Sequence, residues 1–470
     1  MMSGEATAEA VGAERSAVLR ARTRTRRRMW RALGLVVLWA ILLGNAVVIT
    51  WLWSRGDGNL NVRPTADLFN SIGRITGLLG AYLALVQVVL LARLPWLERL
   101  VGFDRLTIWH RWNGHLCLWL ILAHVVFQVW GYAMVDFPPK SFFDEFWFLL
   151  SGGILPGMVT ATIGTALVVI VTWSSIVIAR RRLPYELWYA VHMTAYAGIA
   201  LGWFHQIPTG LEFVHEPGPT LYWESLYLAT LALLVWRIAM PFWNALRHRM
   251  RVAEVVPEGP GVVSLRIVGR RLDKLGVESG QFFIWRFLGR NFWWAPLPFS
   301  LSQAPDGKSL RITAKALGDH SGRMGKIRPG TRVVAEGPFG RFTDASRTRE
   351  RVLLVAGGIG ITPIRALVEE MEGDIVVLYR VVADEDLVFR AELEQLSRER
   401  GFTLHHVVGD HTTPEGRELL SPKHLRELVP DVVDREVYLC GPTAMTDPLQ
   451  SELRRAGVPR RHLHIERFAL

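Results

Sequence analysis

In the first half of the chain, apolar residues gather into long runs with few charges inside them, near 30–53, 72–92, 106–133, 157–179, 186–206 and 220–243. A helix rises about 1.5 Å per residue and a bilayer core is about 30 Å thick, so each run is long enough, or nearly so, to cross a membrane. The pattern predicts six transmembrane helices. After about Arg249 the rhythm changes to short β-branched runs broken by Gly and Pro, at 250–256, 262–268, 280–286, 309–316 and 331–336, which predicts a small antiparallel β-barrel. From Arg351, apolar strands at 351–356, 375–380, 403–408 and 436–440 alternate with helical segments at 363–371, 387–400, 422–429 and 444–456, the pattern of a doubly wound parallel α/β domain. Four parts follow: a basic tail at 1–28, expected to be disordered; a six-helix bundle at 29–247; the barrel at 248–345; and a nucleotide-binding domain at 346–470.

Charge changes this picture by giving it a direction. Arginines flank the first span (Arg20 to Arg31), follow the second (Arg93, Arg99) and the fourth (Arg180, Arg181, Arg182), and follow the sixth (Arg247, Arg249, Arg251), while the other connections are poor in Lys and Arg. Basic flanks stay cytoplasmic, so the expected topology is a multi-pass cell-membrane protein with the N-terminus and everything after Arg247 inside. The net charge of +11 is largely these juxtamembrane arginines facing anionic lipid. With no recognition motif beside them, nucleic-acid binding is excluded. The first apolar run is too long for a signal peptide and lacks a small-residue cleavage site, so it reads as a retained helix. Two cysteines, Cys117 and Cys440, are too few for an iron–sulfur cluster or a disulfide framework.

Candidate chemistry enters with four histidines inside the apolar runs: His110, His124, His192 and His205. An imidazole at membrane depth is costly unless it holds something. From His110 to His124 a helix rises ~21 Å and falls ~40° short of four turns, which puts both rings near one face. From His192 to His205 it rises ~19.5 Å but falls ~140° short, which demands a distorted helix or divergent side chains. Under the arginine-derived topology His110 and His192 lie near the inner face and His124 and His205 near the outer one. Two bis-histidine haems are thereby implied, an inner one on His110 and His192 and an outer one on His124 and His205. His115 lies off this face and takes no part.

In the soluble half, the turn Ala356-Gly357-Gly358-Ile359-Gly360-Ile361-Thr362-Pro363 follows an apolar strand and opens a helix. Glycines let a backbone approach a pyrophosphate, and a helix starting at Thr362 and Pro363 aims amides at phosphate. It joins a series: Leu297-Pro298-Phe299-Ser300, Gly318-Asp319-His320-Ser321, Glu336-Gly337-Pro338-Phe339-Gly340, Cys440-Gly441-Pro442 and Glu466-Arg467-Phe468. In that order these motifs resemble a ferredoxin–NADP reductase-type flavin module. With six upstream spans and the histidine pairs, nearly the whole chain resembles the ferric reductase and NADPH oxidase superfamily.

The resemblance implies a role for each motif. Pro298, Phe299 and Ser300 would line the FAD isoalloxazine, with the Ser300 hydroxyl near the atom that receives hydride. Gly318, Asp319, His320 and Ser321 would surround the FAD pyrophosphate. Gly337 and Gly340 would close the flavin pocket, and Gly357, Gly358, Gly360, Thr362 and Pro363 would take the dinucleotide phosphates. Cys440, Gly441 and Pro442 would border the nicotinamide, and Phe468 would cover the other flavin face. Ser300, Cys440 and Phe468 form the expected catalytic set. The family usually carries Arg or His where this chain has Leu297, and Lys315 or Arg290 is the expected substitute cation. Arg380 follows the second strand of the last domain, where it would grip a 2′-phosphate, which favours NADPH over NADH despite Asp384, Glu385 and Asp386 nearby.

The reading is an NAD(P)H-dependent flavocytochrome passing electrons through FAD and two haem b groups to an external small-molecule acceptor, a ferric complex or oxygen. External groups that could receive it are Asp136, Asp144 and Glu145 in one loop and Glu212, His215 and Glu216 in another. Two rival readings are a membrane-anchored flavin reductase with structural histidines, and a haem-membrane subunit feeding a partner protein. No calcium-binding loop is present, so calcium control is not expected.

Overall fold

The computed structural model describes residues 2–468 apart from 57, 63, 64, 136, 137, 152–154, 177–181, 215, 216, 290, 291, 294, 319, 411 and 412; for 2–25, 27, 28, 104, 185 and 417 only the backbone is described. Asp136, Arg180, Arg181, His215, Glu216, Arg290 and Asp319 therefore lie outside the described residues. The chain divides into two compact units, Met29–Arg237 and Ile238–Leu470 together with Met1–Arg28. The division falls inside the last long helix, ten residues ahead of the 247/248 boundary that the charge pattern implies.

The chain up to His248 is helical: α1 (Met2–Arg55), α2 (Thr65–Leu90), α3 (Pro95–Val101), α4 (Phe103–Ala133), α5 (Phe142–Ser151), α6 (Met158–Ser175), α7 (Tyr185–Thr209), α8 (Leu211–Val214) and α9 (Pro217–His248). Five segments, Met29–Arg55, Thr65–Leu90, Arg105–Ala133, Met158–Ser175 and Pro217–His248, are long and apolar enough to cross a membrane. The sixth expected span is present as α7, 25 residues long, but it falls short of that apolarity. Glu186, His192, His205 and Gln206 lie within it. Residues 2–28, expected to be disordered, continue α1 as helix; Ala, Glu, Arg and Leu are strong helix formers, and that propensity outweighs the low apolar content.

Helix α2 packs on α4 and α6 packs on α7. Glycines make both approaches possible. A Cβ on Gly73 would meet the Gln128 side chain and one on Gly80 would meet Ile121, while Gly164 and Gly198 face each other with each other's carbonyl oxygens 2.7 and 3.0 Å from where a Cβ would stand. Small residues of this kind let membrane helices touch backbone to backbone.

In the second unit, two three-stranded antiparallel sheets come first. One is ordered β1 (Arg251–Gly259), β2 (Val262–Val268), β5 (Ser309–Lys315); the other β4 (Leu297–Ser300), β3 (Phe282–Phe287), β6 (Val333–Phe339). Bridges between Arg251 and Arg332 and between Leu301 and Ile312 join the two sheets at both ends, closing a ring of strands around Phe283, Trp285, Phe287, Leu265, Ile267 and Ile312. A five-stranded parallel sheet follows, ordered β11 (Leu463–Phe468), β10 (Glu436–Pro442), β7 (Val352–Gly357), β8 (Ile375–Val381), β9 (Thr403–Val408). It is flanked by α10 (Ile361–Glu370), α11 (Arg390–Arg400), α12 (Pro414–Glu418), α13 (Pro422–Leu428) and α14 (Thr443–Arg455). Strands β7 and β8 are buried along their whole length, as expected for a parallel sheet covered on both faces.

Candidate functional site

The four histidines come from α4 and α7. His110 faces His192 with ring centroids 6.0 Å apart, and His124 faces His205 at 6.2 Å. Residues 185–209 are helical throughout, so the ~140° offset between His192 and His205 is absorbed without a break in the helix.

Each imidazole has an Nδ1 and an Nε2, and hydrogen bonds decide which carries the proton. His110 Nδ1 lies 3.3 Å from the Gln87 carbonyl oxygen and His124 Nδ1 lies 2.7 Å from that of Gly73. A carbonyl only accepts, so both Nδ1 atoms donate and both Nε2 atoms keep a lone pair. Gln87 clamps His110 a second time, its Nε2 donating to the His110 carbonyl at 2.8 Å. His192 Nδ1 meets Ser175 Oγ at 3.1 Å. Beside His205, whose ring bonds the Gly202 backbone, Gln206 Oε1 accepts from Trp223 Nε1 and Tyr227 OH, both at 2.9 Å, tying α7 to α9.

The spacing fits a metal held between two rings. With Nε2–metal bonds of about 2.0 Å and about 1.1 Å from Nε2 to the ring centre, facing imidazoles have centroids about 6.2 Å apart. Among the described residues no group of three or more His, Cys, Asp or Glu side chains stands together to hold a metal ion. Each pair on its own offers two imidazole ligands to a metal.

In the second unit, β4 carries Pro298, Phe299 and Ser300 antiparallel to β3. Leu297 is 8% exposed and Phe299 packs partly against the same apolar core, so apolar packing occupies the position where the family usually has a cation. Lys315 Nζ reaches Asp386 at 2.8 Å. Ser300 is buried, and its hydroxyl donates to Glu466 Oε1 at 3.4 Å. Cys440 pairs in register with Glu466 across β10 and β11. Burial pushes the Cys440 thiol well above its ordinary range, and the Glu466 charge adds to this, so it stays a neutral thiol. Phe468 packs partly against the core of the parallel sheet, opposite Pro442 in register.

The glycines of the 357–360 turn divide their work. A Cβ on Gly357 would collide with Met445, and one on Gly360 with the Cys440 carbonyl; these two let the turn close on β10 and Gly441. Gly358 has φ +52° and open space where a Cβ would stand, so its face is the one a phosphate can approach. Thr362 spends its hydroxyl on the Ile359 carbonyl, and Pro363 is buried. Gly318 is likewise open, but Ser321 Oγ accepts from the Leu317 and Gly318 amides at 3.1 and 3.0 Å, folding the loop on itself ahead of His320 and the short helix that follows. Gly337 and Gly340 sit against Phe283 and Phe282, a packing role. The Arg380 guanidinium is buried and donates to the carbonyls of Val381, Val407 and Gly416 at 3.1, 3.2 and 3.1 Å.

A family profile described as ferric reductase like transmembrane component matches residues 76–203, and one described as oxidoreductase NAD-binding domain matches residues 354–450. The flavin and nucleotide half of the chain belongs to the ferredoxin–NADP reductase family. The chain joins a ferric reductase-like transmembrane domain to a ferredoxin–NADP reductase-type module, and it is an oxidoreductase. It is 30% identical over 188 residues to ferredoxin–NADP reductase B of Sorangium cellulosum, covering 36% of this chain and 77% of that one. It is 27% identical over 243 residues to the glycine betaine monooxygenase reductase subunit of Chromohalobacter salexigens, covering 48% of this chain and 65% of that relative's length. Among solved structures, the FAD/NAD-binding domain of nitric oxide dioxygenase from Vibrio cholerae aligns over 47% of this chain and 98% of that one, with TM-score 0.40 and 23% identity. Three residues of this ferric reductase-like chain gain importance only from the structure: Gln87, Ser175 and Glu466. The first two carry no sequence signal. Glu466 stands in the terminal Glu466-Arg467-Phe468 motif, and only its contact with the Ser300 hydroxyl is new.

Proposed function

We propose that this chain takes a hydride from NAD(P)H onto FAD and moves the electrons singly across the membrane through two haems, one held by His110 and His192 and one by His124 and His205, to a ferric complex or oxygen. The observation that carries this reading is the pair of ring separations, 6.0 and 6.2 Å, with Nε2 left unprotonated on His110 and His124 by their carbonyl contacts. The flavin supplies the conversion of two-electron into one-electron chemistry, and haem supplies one-electron carriers.

The chain's own residues bind and orient. The open face of Gly358 offers amides at a helix start to the dinucleotide phosphates. Ser300 Oγ holds a proton shared with the Glu466 carboxylate, close to the neutral Cys440 thiol. Phe299 and Phe468 offer aromatic faces from β4 and β11. The arginine-rich flanks of the first, second, fourth and sixth spans support a cytoplasmic side for the flavin module. On the outer side Glu212 accepts from Asn59 Nδ2 at 2.8 Å and Glu145 pairs with Lys140 at 3.3 Å, while Asp144 is tied to Ser141.

The test is an anaerobic NADPH-reduced minus oxidised absorbance spectrum of the detergent-solubilised protein. Haem bands that grow in after flavin bleaching are expected. Flavin bleaching with no haem band would leave a membrane-anchored flavin reductase.

A further inference from the structure

Ser175, the last residue of α6, has one proton and an oxygen that can accept two. Its proton goes to the Val171 carbonyl at 2.7 Å, as serine hydroxyls in helices commonly do. Its oxygen has two other neighbours, Trp188 Nε1 at 3.3 Å and His192 Nδ1 at 3.1 Å. Trp188 sits one turn before His192 and lies against its ring, centroids 4.9 Å apart at 30°. Val171 also accepts from Ser174 Oγ at 2.9 Å; it is the two-haem reading, which needs the His192 lone pair on Nε2, that makes Nδ1 the donor and Ser175 Oγ the acceptor. The same ring faces His110 at 6.0 Å.

We infer that Ser175 is a positioning residue for His192, fixing its tautomer and ring direction and, through that contact, lowering the reduction potential of the haem proposed between His110 and His192. The inference rests on the two-haem reading above. A histidine ligand that donates its far N–H to an acceptor is more basic and better oriented, and loss of such a partner commonly costs about 10–100-fold in metal affinity or activity. Among the described contacts the His205 ring meets no side-chain hydroxyl; its hydrogen-bond partner is the Gly202 backbone. The other two histidines use backbone carbonyls, which no side-chain substitution removes. Ser175 is thus the one hydroxyl among the described contacts of the four rings through which the two sites can be told apart.

The experiment is a spectroelectrochemical titration of the full-length wild type, Ser175→Ala and Ser175→Thr. Wild type with two haem transitions upholds the underlying reading, and wild type without haem bands refutes that reading on its own. Given two transitions, Ser175→Ala is expected to raise one midpoint by about a tenfold change in the reduction equilibrium, about 59 mV for one electron, or to lose that haem alone. The second transition stays put, and Ser175→Thr, which keeps the hydroxyl, restores the wild-type values. Unchanged midpoints in Ser175→Ala overturn the inference. So does an equal disturbance of both haems, or a threonine variant displaced as far as the alanine one.

Discussion

Arg380 stands where a ribose 2′-phosphate would be read, yet three carbonyls hold its guanidinium inside the protein. Removing it takes a donor from the Val407 and Gly416 carbonyls, while Val381 keeps the Gly409 amide at 3.1 Å; a buried acceptor left unpaired costs about 1–3 kcal/mol. Arg380→Ala is expected to lower the temperature of flavin release by several degrees while leaving the ratio of catalytic efficiencies with NADPH and NADH unchanged; a selective loss of NADPH activity would restore the phosphate-binding role. Position alone suggested that role, because an arginine at a strand end is visible in sequence and the carbonyls it meets are not. Lys315 teaches the same point: its charge was legible, but its partner Asp386 lies 71 residues away. Ser175 was illegible for the opposite reason, since a serine in an apolar helix advertises nothing until a neighbouring helix brings a histidine to it.

Among the elements, β2 and β9 begin and end where their apolar runs do, because β-branched residues with Gly and polar borders state both limits. Strands β4 and β11 were not read as strands. β4 is four residues long and contains Pro298, which edge position allows, and it lies at the edge of its sheet. β11 alternates His464 and Glu466 with apolar residues, a polar edge strand whose partner β10 is visible only in three dimensions. What holds β11 includes Glu436, fully buried, which accepts from His464 Nε2 at 2.6 Å, from Thr348 Oγ1 at 2.8 Å and is met by His462 Nδ1 at 3.1 Å. Burial alone would raise its pKa, but the hydrogen bonds and charge of His464, with those of Thr348 and His462, bring it to about 2 from an ordinary 4.5. A carboxylate lowered on folding contributes stability above its unfolded value and loses it as pH falls through the folded one. Hydrogen-exchange protection of β11 is therefore expected to decline between pH 4.5 and about 2 in the wild type, and to be reduced already at neutral pH in Glu436→Gln. Equal protection in the two proteins at neutral pH would show that the carboxylate does not hold the strand. For the helices, His110→Ala and His192→Ala should each remove one haem of two, the double variant no more than either alone, whereas His110→Ala with His124→Ala should remove both; pyridine haemochrome assay reads the count.

For the whole molecule, the two units meet inside α9, and His248 already belongs to the flavin module. It is 2% exposed, with its Nδ1 3.0 Å from the Arg270 carbonyl and its own carbonyl accepting from the Arg270 amide. A soluble fragment beginning at Ala245 is expected to keep FAD and reduce an artificial acceptor with NAD(P)H, while one beginning at Val252, which loses His248 and Met250 from the core, should express as aggregate. Equal behaviour of the two fragments would move the boundary to Arg251. The membrane unit is organised differently. Its helices join as two glycine-packed pairs, α2 with α4 and α6 with α7, with sparser contacts between the pairs and the histidine rings meeting there. Anything bound only by the folded form stabilises it in proportion to its supply. With the two haems proposed above as the keystone between those pairs, the folded fraction would track the cell's tetrapyrrole supply, and the abundance of the chain is expected to fall in cells starved of haem precursors.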